Sequence, residues 1–357
     1  MRLRPVVVGL LVLAVACLLA GLVWPRSAGA PGSDPDPSVR DPEGRGLTPA
    51  VGATLRKAGV RPRRPPQFVV VSFDGSGGGD MFEYWRAVAH RVHAHFTFFV
   101  SGVYLIDWDG KSRYHPPRHA RGRSDIGFAP DSAFAAATRE QVAAAYKEGH
   151  EIGTHFNGHF CAPYEGNVDE WTATDWSDEL DQFDGLLFSG RKLPFGPGEV
   201  VGTRTPCLQG NMRLLYPVLA RRGFRYDASQ VALLGRWPWR EGGIWSVPLV
   251  ELPFVGHTFR VVSMDYNFLA NQTGAPAGLE RETYLTFRRA FRTSYRGNRA
   301  PLSIGFHFET WHDGAYDRAL AQFLGETCRL RDVRCASIRE LVDWLDVRFP
   351  RLAAYPH

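Results

Sequence analysis

The chain is expected to fold as an α/β barrel, closed or partly open, of about seven or eight strand–helix units. Three observations lead there. Short β-branched or aromatic runs alternate with helix-like segments, the pattern of parallel strands joined by crossover helices. Once the N-terminal part of the 357 residues is set aside, roughly 290 remain, enough for one large α/β domain with a full core. Acidic, basic and imidazole side chains recur at the C-terminal ends of the strand-like runs, where barrels of this kind carry their chemistry.

In chain order, residues 1–30 come first. Arg2 and Arg4 precede an uncharged apolar stretch from Val6 to Trp24, and Ala28-Gly29-Ala30 follows as a small-residue cleavage site. The stretch is long enough to span a bilayer, so a signal anchor and a cleaved signal peptide both fit, the anchor slightly better. Either places the remainder outside the cytoplasm, anchored or secreted. Cys17 as a lipidation site fits less well, because apolar sequence continues beyond it to Val23. Residues 31–66 are rich in Pro, Gly, Asp and Arg and read as a flexible linker. The catalytic-domain candidate spans 67–350 and opens on the apolar run Phe68-Val69-Val70-Val71. Strands are predicted at 68–73, 95–100, 150–155, 200–206, 224–228, 245–252, 260–267 and 302–308. Helices are predicted at 81–94, 139–148, 175–188, 210–222, 279–295, 314–328 and 337–348.

The net charge of +5 comes almost wholly from Arg, since Lys occurs only at Lys57, Lys111, Lys147 and Lys192. A mildly basic surface without a dense Lys/Arg run suits anionic wall polymers or lipid headgroups and argues against nucleic acid. In an oxidising compartment Cys161, Cys207, Cys328 and Cys335 are even in number and suit two disulfides. Cys328–Cys335 is the natural local pair; Cys161 and Cys207 could bridge if the two strand ends meet, with free thiols the equal alternative.

The strand ends carry the polar residues. Ser72-Phe73-Asp74-Gly75 closes the first strand, and His155 and His159 follow another, four residues apart on a loop with Gly158. Neutral imidazoles so spaced can converge on one cation. Arg204-Thr205-Pro206-Cys207 ends a third strand, and Ser303-Ile304-Gly305-Phe306-His307 a late one. Gly77-Gly78-Gly79 lacks the GK[ST] ending of a phosphate loop.

Over about residues 66–345 these motifs resemble the polysaccharide deacetylase (NodB-homology) family, carbohydrate esterase family 4. Its patterns TFDDG, H[ST]xxH, RxPY and LxIxxH are met by Ser72–Gly75, His155/His159, Arg204/Pro206 and Leu302/Ile304/His307. Phe156 stands in place of the Ser or Thr, and Cys207 in place of the Tyr. The resemblance implies a distorted (β/α) barrel and a divalent metal, zinc first, held by His155 and His159. It implies a hydrolase of C–N bonds other than peptide bonds (linear amides), removing N-acetyl groups from an envelope polysaccharide. Peptidoglycan comes first and chitin-like oligomers second. Asp74 would be the base, His307 the acid, and Arg204 the partner that orients the base. A further carboxylate, Asp265 first and Asp227 second, would join that network. Cys207 would offer an oxyanion-binding backbone N–H, with Pro206 and Trp311 lining the substrate site. Tyr164, Trp176 and Trp311 could stack on sugar faces, although most of so many aromatics must be core.

One motif departs from the family pattern. Aligned without a gap, the preferred register, Gly75 stands where the metal-binding Asp belongs; a shifted register would make Asp74 the ligand and leave Phe73 in place of the base. Either way one carboxylate is lost, and Asp80, past the glycines, could swing in. A relative that binds glycans without turning them over is the competing expectation.

Overall fold

The structure, a computed structural model, describes residues 64–190 and 192–349. The N-terminal segment, and all of the linker except its last residues, lie outside the described residues. Among the described residues no helix is long and apolar enough to cross a membrane.

Strand β1 (Gln67–Ser76) organises the main sheet. Its first six residues are all buried, as expected for a parallel strand covered on both faces. On one side it pairs with β11 (Leu302–His307) and on the other with β2 (Thr97–Val100), both parallel. The sheet continues through β3 (Glu151–Thr154), β4 (Gly202–Thr203), β5 (Tyr226–Asp227), β8 (Ile244–Ser246) and β7 (Trp239–Glu241), and β12 (Val333–Ala336) pairs with the start of β1. Only the β7–β8 pair is antiparallel. A second sheet holds β10 (Arg260–Val262), β9 (Leu249–Pro253) and β6 (Val231–Leu233). It joins the first at an isolated bridge between Met264 and Gly305. This is the predicted distorted barrel.

The helices pack outside. α1 (Asp80–Val92) buries Phe82, Trp85, Val88, Ala89 and Val92, a helical stripe against β1 and β2. Phe73, Trp85, Phe96 and Phe98 meet there, with Phe73 centroids 4.8–5.7 Å from the others. Then come α2 (Ser132–Lys147), α3 (Ala173–Phe188), α4 (Met212–Arg221), α5 (Asp265–Leu269), α6 (Pro276–Arg296), α7 (Trp311–Thr327) and α8 (Ile338–Arg348). Capping boxes open α3 (Thr172 with Asp175) and α8 (Ser337 with Glu340), satisfying backbone donors that the first turn leaves free.

Several predicted elements need correction. α2 starts at Ser132 rather than 139, because Asp131 caps it by accepting from the Phe134 N–H at 2.8 Å. The run 245–252 splits into β8 and β9 around Pro248, which cannot donate to a ladder. The run 260–267 stops as a strand at Val262. Ser263 turns away, giving its hydroxyl to the Ser303 carbonyl at 2.6 Å, and Asp265 opens α5. Strands β6, β7 and β12 were not anticipated.

Candidate active site

Asp74 and His307 occupy adjacent parallel strands as direct register partners. Asp74 is 3% exposed, and the fully buried Arg204 donates to it through Nη1 at 2.8 Å. The same nitrogen donates to Ser72 Oγ at 2.7 Å, and Arg204 Nε donates to the Ala228 carbonyl at 2.9 Å. The Phe99 ring lies 4.9 Å below the guanidinium. Gly305 makes room for this arrangement, since a Cβ there would stand 3.3 Å from Arg204 Nη1 and 2.8 Å from Met264 Cε. Burial alone would raise the Asp74 pKa, but Arg204, His155 and His307 together hold it below the usual carboxylate value.

His307 is held the opposite way. Asp265, 1% exposed, accepts from His307 Nδ1 at 2.7 Å and from the His307 backbone N–H at 2.7 Å. Burial would lower the imidazole pKa, but the Asp265 carboxylate overrides it and lifts it to about 9. Because Nδ1 donates to Asp265, Nε2 is the nitrogen left to face a substrate. The side chain is 28% exposed, so a substrate can reach it.

His155 and His159 lie on the loop after β3, ring centroids 5.1 Å apart. His155 Nδ1 donates to the Arg204 carbonyl at 2.8 Å, which leaves Nε2 with its lone pair free. Burial pushes both imidazoles towards the neutral form, His159 to about 3. Phe156 and His159 adopt left-handed backbone, φ 59° and 60°. Phe156 is fully buried against Trp176, 4.9 Å between centroids, which explains an aromatic at that position.

Of the two alternatives for Cys161 and Cys207 the structure shows the bridge: they are disulfide-bonded with Cα atoms 6.1 Å apart, and Cys328 is bonded to Cys335. Cys207 and Leu208 also have positive φ, 51° and 58°. Pro206 is buried in the same 3-10 turn, Pro206–Leu208. Trp311 sits at the mouth, 5.6 Å from the His307 ring.

Other expectations fail. Asp227 accepts from Thr203, Ser229 and Tyr216 and braces β4 against β5. Trp176 is core, packed on Phe156 and Trp171. Asp80 begins α1, exposed, and joins no group of metal donors. Two residues went unnoticed. Ser101, just past the end of β2, has a buried Oγ with no hydrogen-bond partner, 3.9 Å from where a Gly75 Cβ would sit. Applying the strand-end rule to the 95–100 run points to it. Glu179 lies beneath the histidine loop, accepting from the Asn157 N–H and the Tyr114 hydroxyl at 2.9 Å each. It carries no motif that marks it.

The donors decide whether a catalytic cation fits. Position 75 is glycine, φ 63°, and Asp74 Oδ1 is committed to Arg204. Among the described residues, one group of three His, Cys, Asp or Glu donors lies within 4.8 Å of one another: His159, Cys161 and Cys207. Its two sulfurs are bonded to each other. A catalytic zinc needs three protein ligands and an open position. With the bridge closed, the two imidazoles do not complete that set. A cavity of about 570 Å³ lined by Arg86, His90, His95 and His150 lies at the N-terminal ends of β2 and β3, away from this chemistry.

The fold is a distorted (β/α) barrel of the NodB-homology type, with Asp74, His155, Arg204 and His307 gathered at its strand ends. No protein-family profile matches the chain, and no curated protein does. Among solved structures, it is similar to a provisionally assigned polysaccharide deacetylase from Mycobacterium smegmatis. That match has TM-score 0.52 and 15% identity, covering 83% of this chain and 96% of that one. A family 4 carbohydrate esterase from Streptomyces lividans, solved with acetate, matches at TM-score 0.40 and 12% identity, covering 75% and 91%. A family 4 pseudoenzyme from Bacillus anthracis matches at TM-score 0.43 and 9% identity, covering 79% and 67%. At such identity the first likeness is one of fold.

Proposed function

We propose that the protein is a hydrolase that removes acetyl groups from an acetylated polysaccharide, with Asp74 as base and His307 as acid. One observation carries this reading: Asp74 and His307 are register partners on adjacent strands, each bound to a buried group of opposite charge, Arg204 at 2.8 Å and Asp265 at 2.7 Å. Asp74 takes the proton from a water as it attacks the acetyl carbonyl. The Cys207 backbone N–H, in the turn after β4, is the donor for the oxygen that gains charge. His307 passes its Nε2 proton to the leaving sugar nitrogen or oxygen, and Asp265 fixes the ring for that transfer. No cation enters these steps, because the donor set does not complete a site for one. An envelope glycan, peptidoglycan first, is the proposed substrate on the strength of the N-terminal apolar segment.

Gly75 favours a second reading, a glycan-binding relative without turnover. The two readings separate in one assay: acetate release from N-acetylglucosamine oligomers and peptidoglycan, with binding followed alongside. Release by the wild type that is lost in Asp74→Asn supports the hydrolase. Tight binding with no release by either supports the second reading.

A further inference from the structure

We propose that opening the Cys161–Cys207 disulfide creates a zinc site of Cys₂His type, formed by Cys161, Cys207 and His159. The three ligand atoms already lie within 4.8 Å of one another, and no other such group occurs among the described residues. His159 Nδ1 is 3.5 Å from Cys161 Sγ. Zinc–sulfur and zinc–nitrogen bonds of about 2.3 and 2.0 Å in a tetrahedron put a sulfur and a nitrogen ligand about 3.5 Å apart and two sulfurs about 3.8 Å apart. The imidazole–sulfur edge is therefore in place, and only the sulfurs must separate. Each lies on a loop that can allow this: Cys161 follows the His159 turn, and Cys207 sits exposed in the turn after β4.

The donor chemistry also selects the metal. With Gly75 in place of a carboxylate and the two cysteines bonded to each other, the oxidised site offers neutral imidazoles and no thiolate. Two thiolates and an imidazole form a soft set that suits zinc. The opening step balances with a small dithiol as reductant. Two electrons and two protons pass to Cys161 and Cys207, and the dithiol closes its own disulfide. On binding, the metal displaces the two thiol protons to solvent. The site extends beyond the proposed hydrolysis and does not depend on it.

Cobalt(II) reads it directly, because thiolate ligands give it a charge-transfer absorption that imidazole and carboxylate ligands do not. The test uses the full chain carrying Cys17→Ser, reduced with dithiothreitol and desalted without oxygen. The reduced chain is expected to bind one cobalt with the thiolate band and to lose the band when zinc is added, whereas the oxidised chain shows no band. Cys161→Ser and Cys207→Ser should each weaken binding at least tenfold, and Cys328→Ser/Cys335→Ser should leave it unchanged. Circular dichroism of each variant confirms that a lost band is not lost folding. No band in the reduced, folded chain, or a band that survives Cys207→Ser, overturns the proposal.

Discussion

Asp74 and His307 face each other across one strand pair, and their neighbours fix which is charged. Arg204 holds the carboxylate below its usual pKa, and Asp265 holds the imidazole at about 9. Turnover that needs Asp74 ionised and His307 protonated should stay constant through the neutral range and fall as pH rises through about 9. Asp265→Asn removes the charge that raises His307, so the alkaline limb of kcat/KM should move down by about 1–3 pH units. A limb that stays put shows that Asp265 does not set the acid. Asp74→Asn should cost about 10²–10⁴ in kcat, the range for loss of a general base. Asp74, Arg204 and His307 were legible in sequence because each stands at the end of an apolar run, where the strand-end rule looks; Asp265, the first residue of α5, was named only through the family resemblance. Ser101 and Glu179 were not: one is a lone hydroxyl, the other a helix glutamate whose burial depends on packing.

At the level of elements, close approach and buried charge set the limits. Gly305→Ala would push a methyl against Met264, Leu249 and Arg204 at 2.8, 3.2 and 3.3 Å. Overpacking of this kind costs about 1–3 kcal/mol, readable as a lower urea midpoint at unchanged m. Beneath the histidine loop, burial lifts the Glu179 carboxyl to about 7 from 4.5, outweighing its hydrogen bonds to Tyr114 and Asn157. The folded state therefore binds more protons than the unfolded one between those values. This contribution is fully present below pH 4.5 and lost as pH rises through about 7. Melting curves of the wild type should show that decline, and Glu179→Gln should flatten it. An equal decline in both proteins would assign it to another group. Element boundaries were harder to read than element existence. Pro248 divides one apolar run into two strands, and the tertiary hydrogen bond from Ser263 to Ser303 ends another, a contact 40 residues away that no local pattern reveals. The strands β6 and β7 are short and partly exposed, so they lack the apolar run that marked β1.

For the whole molecule, the barrel was predictable from alternating runs, and its parallel order followed from the intervening helices. The cation question was visible as Gly75 but undecided, because a distant carboxylate could have filled the gap; none of those described does. If the proposed hydrolysis runs without a metal to polarise the carbonyl, it forgoes several kcal/mol of transition-state stabilisation. O-acetyl sugars, with the better leaving group, should therefore turn over faster than N-acetyl sugars. An equal or reversed preference, read from paired rates on matched oligosaccharides, contradicts that ordering. The most direct test of the central claim is acetate release at neutral pH by the oxidised full chain after chelator treatment. The acid–base pair predicts release that persists without metal and disappears in Asp74→Asn. Release abolished by chelation and restored by zinc, or no release from any acetylated glycan, would contradict it.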